Sequence, residues 1–108
     1  VILMGDFNAH MEDSRCTNAS SLRGLVEGLG IRICNDLRVP TRRQATAGKL
    51  QQSTIDFIAG PSYVEPAMVD EAAHCGSDHL LIWTKVKSNA TYMVFQVGVP
   101  VRKEREVE

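Results

Sequence analysis

An α/β fold is what this sequence predicts, on two observations. Short apolar runs at residues 1–4, 57–59 and 80–83 have the length and make-up of buried strands. Between the first two, Leu22, Leu25, Val26 and Leu29 recur at i, i+3, i+4 and i+7, the stripe of a helix that lays one face on a sheet. Strand and helix alternating over so short a stretch favour helix-on-sheet layers. A chain of 108 residues with 44% hydrophobic content suits one modest core, and is too short for two large sheets covered by helices on both outer faces.

The first strand is expected over residues 1–7, an apolar run that ends in polar residues. Residues 8–19 read as a loop, because Asn8, Glu12, Asp13, Ser14 and Asn18 offer side-chain hydrogen bonds that compete with regular structure. The helix is expected over 20–29, with Ser20 as its cap and Gly30 as its stop. Residues 31–35 read as the next strand, closed off by Pro40. Residues 41–44 and 53–58 are expected to pair as a hairpin around a polar 45–52 loop in which Gly48 turns the chain, and Pro61 ends the second strand. A weak strand follows near 67–71, then a stronger one over 80–86, whose first four residues are apolar on both faces and so suit a central position. Residues 92–99 are apolar and β-prone, whereas 102–108 are almost wholly charged, as in a frayed tail.

Composition narrows the function classes. The formal charge of -1, from 12 Lys+Arg against 13 Asp+Glu, gives no global attraction for nucleic acid, so any such contact has to be local. Arg38, Arg42, Arg43 and Lys49 are the nearest thing to a basic patch, although a polar loop also carries such charges merely to stay solvated. Cys16, Cys34 and Cys75 show no CxxC spacing, which argues against a disulfide framework and against a zinc site with His74 and His79, and favours a reducing compartment. With no long apolar stretch, signal-like segment or lipidation motif, the expectation is a soluble intracellular protein, nuclear or cytoplasmic, that is not secreted and has no membrane partner.

Three polar phrases sit in or at the end of the apolar runs: Met4-Gly5-Asp6-Phe7-Asn8, Ser53-Thr54-Ile55-Asp56-Phe57-Ile58 and Gly76-Ser77-Asp78-His79. Carboxylates and an imidazole at strand ends are costly to desolvate unless they are partnered. Together with amide groups they suit metal-assisted phosphodiester hydrolysis, which needs an activated water, charge stabilisation on the phosphoryl oxygens and help for the departing oxygen. Asp6 and Asn8 stand two apart, so on an extended segment they point the same way past Phe7; a capping or turn pair is the duller account of them. Asp56 and His79 suit a carboxylate–imidazole pair, or else an ordinary strand-end acid and a capped core histidine. Asp78 is a hard oxygen donor of the kind magnesium or manganese accepts. Ser77 either hydrogen-bonds nearby or simply finishes the Gly76 turn, His10 sits in a polar loop where a histidine needs no explanation, and Trp83 reads as core.

In this order and combination the three phrases resemble the last three motifs of the endonuclease/exonuclease/phosphatase superfamily. Gly5-Asp6-Phe7-Asn8-Ala9-His10, with Pro40-Thr41-Arg42 ahead of Ser53, is most similar to the endonuclease domains of non-LTR retrotransposons. The resemblance implies a DNase I-like four-layer α/β sandwich, of which only the C-terminal half is covered: residues 1–87 as that part of the domain, and 88–108 as an extra strand-like segment and charged tail. It therefore implies a fragment or decayed copy, without the metal-binding glutamate and the asparagine that the family takes from its N-terminal half. It assigns catalysis to Asp6, Asn8, Asp56 and His79: Asp6 aligns or deprotonates the water, Asn8 donates to the scissile phosphate, and Asp56 orients His79. Asp78 and Asp6 are the implied ligands of Mg2+ or Mn2+, and Asn8, Thr41, Arg42 and Ser77 the implied substrate contacts. The partners implied are DNA and a reverse transcriptase domain in the full-length protein, with no small-molecule cofactor. A phosphatase of the same superfamily acting on a small phosphate ester, and a non-catalytic remnant or binding module, stay open as alternatives.

Overall fold

Each element of the chain is short, and the computed structural model describes residues 1–72, 76–87 and 92–97, with 92–96 as backbone only. The order is β1 (Leu3–Asp6), α1 (Thr17–Leu29), β2 (Arg32–Ile33), β3 (Arg42–Thr46), β4 (Lys49–Ser53), β5 (Asp56–Gly60), β6 (Met68–Asp70), β7 (Leu81–Lys87) and β8 (Tyr92–Val97). They form an antiparallel sheet β1-β5-β2, a hairpin β3-β4 and an antiparallel sheet β6-β7-β8. The fold is α/β, as predicted.

β5 is buried along its whole length, and the two-residue period of a strand sends its neighbours to opposite faces. Phe57 packs with Ala9, Met11, Ala19 and Leu22 beneath α1, and its ring lies 6.3 Å from that of Phe7. Ile58 packs the other way, with Cys34, Val64, Ile82 and Val86, against the second sheet. Three layers result: helix, sheet, sheet. In β7 the buried Ile82, Thr84 and Val86 alternate with half-buried Leu81 and Trp83 and exposed Lys85 and Lys87. Trp83, expected in the core, thus lies on the outward face of a strand that is central, as predicted.

α1 begins three residues before the expected start. Its cap is Cys16, whose carbonyl accepts from the Ser20 amide at 3.1 Å; Thr17 and Asn18 are tolerated in a first turn whose amides have no partner within the helix. Its end is as read: Gly30 adopts φ 66° and the amides of Gly30 and Ile31 close onto Glu27 and Val26. The buried line is Ala19 and Leu22, continued by partly buried Val26, with Leu25 and Leu29 each 45% exposed. β6 and β7 lie within a residue or so of their expected spans, and β8 occupies the start of the predicted 92–99 strand. The charged 102–108 segment lies outside the described residues. No helix among the described residues is long and apolar enough to cross a membrane.

The predicted hairpin is redrawn. β3 turns back through Ala47 (φ 53°) and Gly48 (φ 78°), a two-residue connection, so Arg42 pairs with Ser53 and not with the Asp56 segment. Residues 56–60 are released to the first sheet, where they pair with β1 and β2. That switch of sheets between Ser53 and Asp56 positions the candidate site.

Candidate active site

The register of β1 on β5 sets Asp6 directly opposite Asp56. Two carboxylates facing each other across a ladder repel, and they persist where something else compensates. His79 does so here. Its Nδ1 donates to Asp56 Oδ2 at 2.8 Å, and its Nε2 lies 3.8 Å from Asp6 Oδ2. The imidazole thus stands between two acids of unlike setting, for the Asp56 side chain is 1% exposed and that of Asp6 50%.

Backbone pairing brings His79 to this position from far along the chain. The 78–80 segment lies antiparallel to the start of β3: the Arg43 amide donates to the Asp78 carbonyl and the Leu80 amide to the Thr41 carbonyl, both at 2.8 Å. The Ser77 hydroxyl accepts from the His79 amide at 3.0 Å, which fixes the turn. Asp56 is held at both ends. Thr41 Oγ1 accepts from the amides of Ile55 and Asp56 at 3.0 and 3.1 Å, and Asn35 donates through Nδ2 to the Asp56 carbonyl while its Oδ1 accepts from the Ile58 amide, both at 2.9 Å.

At the other strand end, β1 stops at Asp6. Asn8 takes a positive φ of 48°, a conformation asparagine tolerates, and its amide donates to Asp6 Oδ1 at 3.0 Å. The expected extended Asp6–Asn8 geometry is therefore replaced by a side-chain-capped turn, yet both residues still face one cleft. That cleft, about 380 Å³, is lined by Asp6, Phe7, Asn8, Arg42, Ile55 and His79.

Burial pushes the Asp56 carboxyl up from its ordinary value, against the His79 contact and the Thr41 hydroxyl, which pull it down; Asp6 opposite adds to the rise. Asp56 Oδ1 is buried without a hydrogen-bond partner among the described residues. Asp6, Asp56 and His79 offer donor atoms within 4.8 Å of one another. Two carboxylates, one with an unpartnered oxygen, and an imidazole make a donor set that fits a divalent cation.

The model of the endonuclease-reverse transcriptase family matches residues 1–83, a span that holds every residue of this cleft. The chain belongs to that family. Among solved structures it is similar to the endonuclease domain of TRAS1, a telomere-specific non-LTR retrotransposon, at 26% sequence identity and a TM-score of 0.67. The similarity covers 82% of this chain and 43% of that one, so the chain spans less than half the length of the domain it matches. No curated protein matches the chain significantly.

Within this endonuclease-reverse transcriptase fold the four residues expected to be catalytic share one neighbourhood: Asp6, Asn8 and His79 line the cleft and Asp56 stands behind His79. Thr41 departs from expectation. It is fully buried with its hydroxyl occupied by two amides, so it offers no surface to a substrate. Ser77 holds the turn before His79, in line with the plainer account of it. Asp78 lies outside the Asp6–Asp56–His79 cluster, its carboxylate 3.8 Å from Arg42. The basic set is dispersed: Arg38 is bonded to Asp36 and Arg43 to Glu71, leaving Arg42 as the member that lines the cleft. His10 sits 3.7 Å from Glu12 and outside the cleft lining. His74 and Cys75 lie outside the described residues. Sequence reasoning missed Asn35, whose one signal was a polar residue closing a predicted strand.

Proposed function

We propose that this chain carries a phosphodiester-hydrolysing site of a retrotransposon-type DNA endonuclease, working with Mg2+ or Mn2+. The observation that carries the reading is the cluster of Asp6, Asp56 and His79 on a cleft shared with Asn8 and Arg42, in a chain of the endonuclease-reverse transcriptase family. Asp6 and Asp56, the two carboxylates of the cluster, would hold the cation, whose chemistry when bound is to neutralise charge on the phosphoryl oxygens. Asp6 is half-exposed and so able to align a water and accept its proton. His79, held by Asp56 through Nδ1, turns Nε2 to the cleft, where it donates to a phosphoryl or departing oxygen. The Asn8 amide and the Arg42 guanidinium supply donors for phosphate oxygens, and one lining arginine matches a chain whose attraction for DNA has to be local. In the full-length protein such a nick would serve a reverse transcriptase.

The test is nicking of supercoiled plasmid by the purified chain with Mg2+, beside Asp6→Ala and His79→Ala. Each substitution should lower the metal-dependent rate by about 100-fold or more, the scale of a lost general base or acid. Equal background in all three proteins would overturn the catalytic reading. A second reading, a module that binds DNA without cutting it, draws on Arg42 in the cleft lining; it predicts plasmid binding that weakens on Arg42→Ala without any nicking.

A further inference from the structure

Between the cleft and the core lies a polar frame that no part of the proposed chemistry uses. Thr41 is 0% exposed, and a buried hydroxyl is tolerated where it is fully bonded. Every polar group of this residue is spent on the segments that carry the two reacting side chains. Its amide donates to the Ser53 carbonyl at 2.9 Å and its hydroxyl accepts from the amides of Ile55 and Asp56 at 3.0 and 3.1 Å. Its carbonyl accepts from Leu80, the residue after His79, at 2.8 Å. β5 and the 78–80 segment share no ladder with each other. The Asp56–His79 contact at 2.8 Å therefore depends on a third element to set the distance, and Thr41 bonds to both sides of it.

We infer that Thr41 is a positioning residue: its hydroxyl and carbonyl together fix the Asp56 carboxylate against His79 Nδ1, with Asn35 holding the far side of Asp56. The inference rests on the catalytic reading above for its consequence in rate, and on the hydrogen bonds alone for its geometry. A valine is close to threonine in shape and keeps the backbone bonds, so Thr41→Val removes the acceptor for two buried amides together with the hydroxyl that favours the charged Asp56 carboxylate, and leaves the packing in place. Thr41→Ser keeps the acceptor and drops the methyl.

The experiment is NMR on the whole 108-residue chain at neutral pH, with nicking kinetics in parallel. In Thr41→Val the amides of Ile55 and Asp56 should lose about tenfold of their exchange protection. The His79 Nδ1 proton resonance should disappear, and the Leu80 amide should keep its protection. Loss of such a supporting hydrogen bond typically costs about 10- to 100-fold in activity, and here it should fall on kcat with KM for plasmid unchanged. Thr41→Ser should retain the resonance, the protection and the rate. A His79 Nδ1 proton unchanged in Thr41→Val, or lost equally in Thr41→Ser, would overturn the inference. Should the valine variant not fold, the serine variant decides by the same resonance. A wild-type chain that nicks nothing would count against the catalytic reading, while the resonance and the two amides still report on Thr41.

Discussion

At Asp56 a carboxylate with a 1% exposed side chain faces Asp6 across a ladder and keeps one oxygen unbonded among the described residues. Its pKa is raised chiefly by burial, so the folded chain holds this proton at a pH where the unfolded chain has lost it. The consequence has a definite sign: folding stability falls as pH rises from the ordinary aspartate range through the folded pKa, because there the native state binds more protons. Asp56→Asn removes that slope. Urea unfolding at about pH 3 and about pH 7 should show the variant gaining on the wild type toward neutral pH; a gap moving the other way would mean that the His79 contact outweighs desolvation. Cys16 differs from Asp56 in being held toward its charged form. Amides of His10 and of Ala19 lower its thiol pKa, and it is half-buried whereas Cys34 is buried. Iodoacetamide followed by peptide mapping should modify Cys16 before Cys34, and the opposite order would contradict the local geometry.

Among the elements, the β3-β4 hairpin is the one whose conformation is most costly to its own sequence. Ala47 at φ 53° pays the left-handed penalty that Gly48 at φ 78° avoids. Ala47→Asn, a residue that tolerates this region and favours such turns before glycine, should raise stability by about 0.5–1 kcal/mol. Gly48→Val should lower it by about 1–2 kcal/mol; unfolding midpoints measured at constant slope would check both. Because the start of β3 also pairs with the 78–80 segment, the glycine substitution should disturb the surroundings of His79 as well. Sequence reasoning placed this hairpin too widely because its strands are polar on both faces and carry no alternation, leaving Gly48 as the one local signal.

For the whole molecule, the donor cluster is a product of three distant segments, at residues 6, 56 and 79. A cation bound there stabilises the fold by mass action. At about a hundredfold excess over its dissociation constant the gain is about 2.7 kcal/mol, several degrees in midpoint for a domain of this size. Thermal unfolding should therefore rise with Mg2+ or Mn2+ in the wild type and not in Asp6→Asn. A shift of equal size in both proteins would place the ion elsewhere.

Much of this was legible in the chain itself. The α/β class follows from the helical stripe and from apolar runs too short for anything but strands. The helix stop at Gly30, the central place of β7 and the catalytic candidates Asp6, Asn8, Asp56 and His79 come from local residue types and motif order, which are written along one dimension. What only the tertiary structure decided is who faces whom. Asp6 opposite Asp56 is a matter of register, Thr41 turned inward is a matter of which strand covers it, and the separation of Asp78 from the donor cluster is a matter of backbone pairing between residues 41–43 and 78–80. Such contacts join positions tens of residues apart, and their free energy depends on burial and distance in three dimensions, which no spacing along the sequence records.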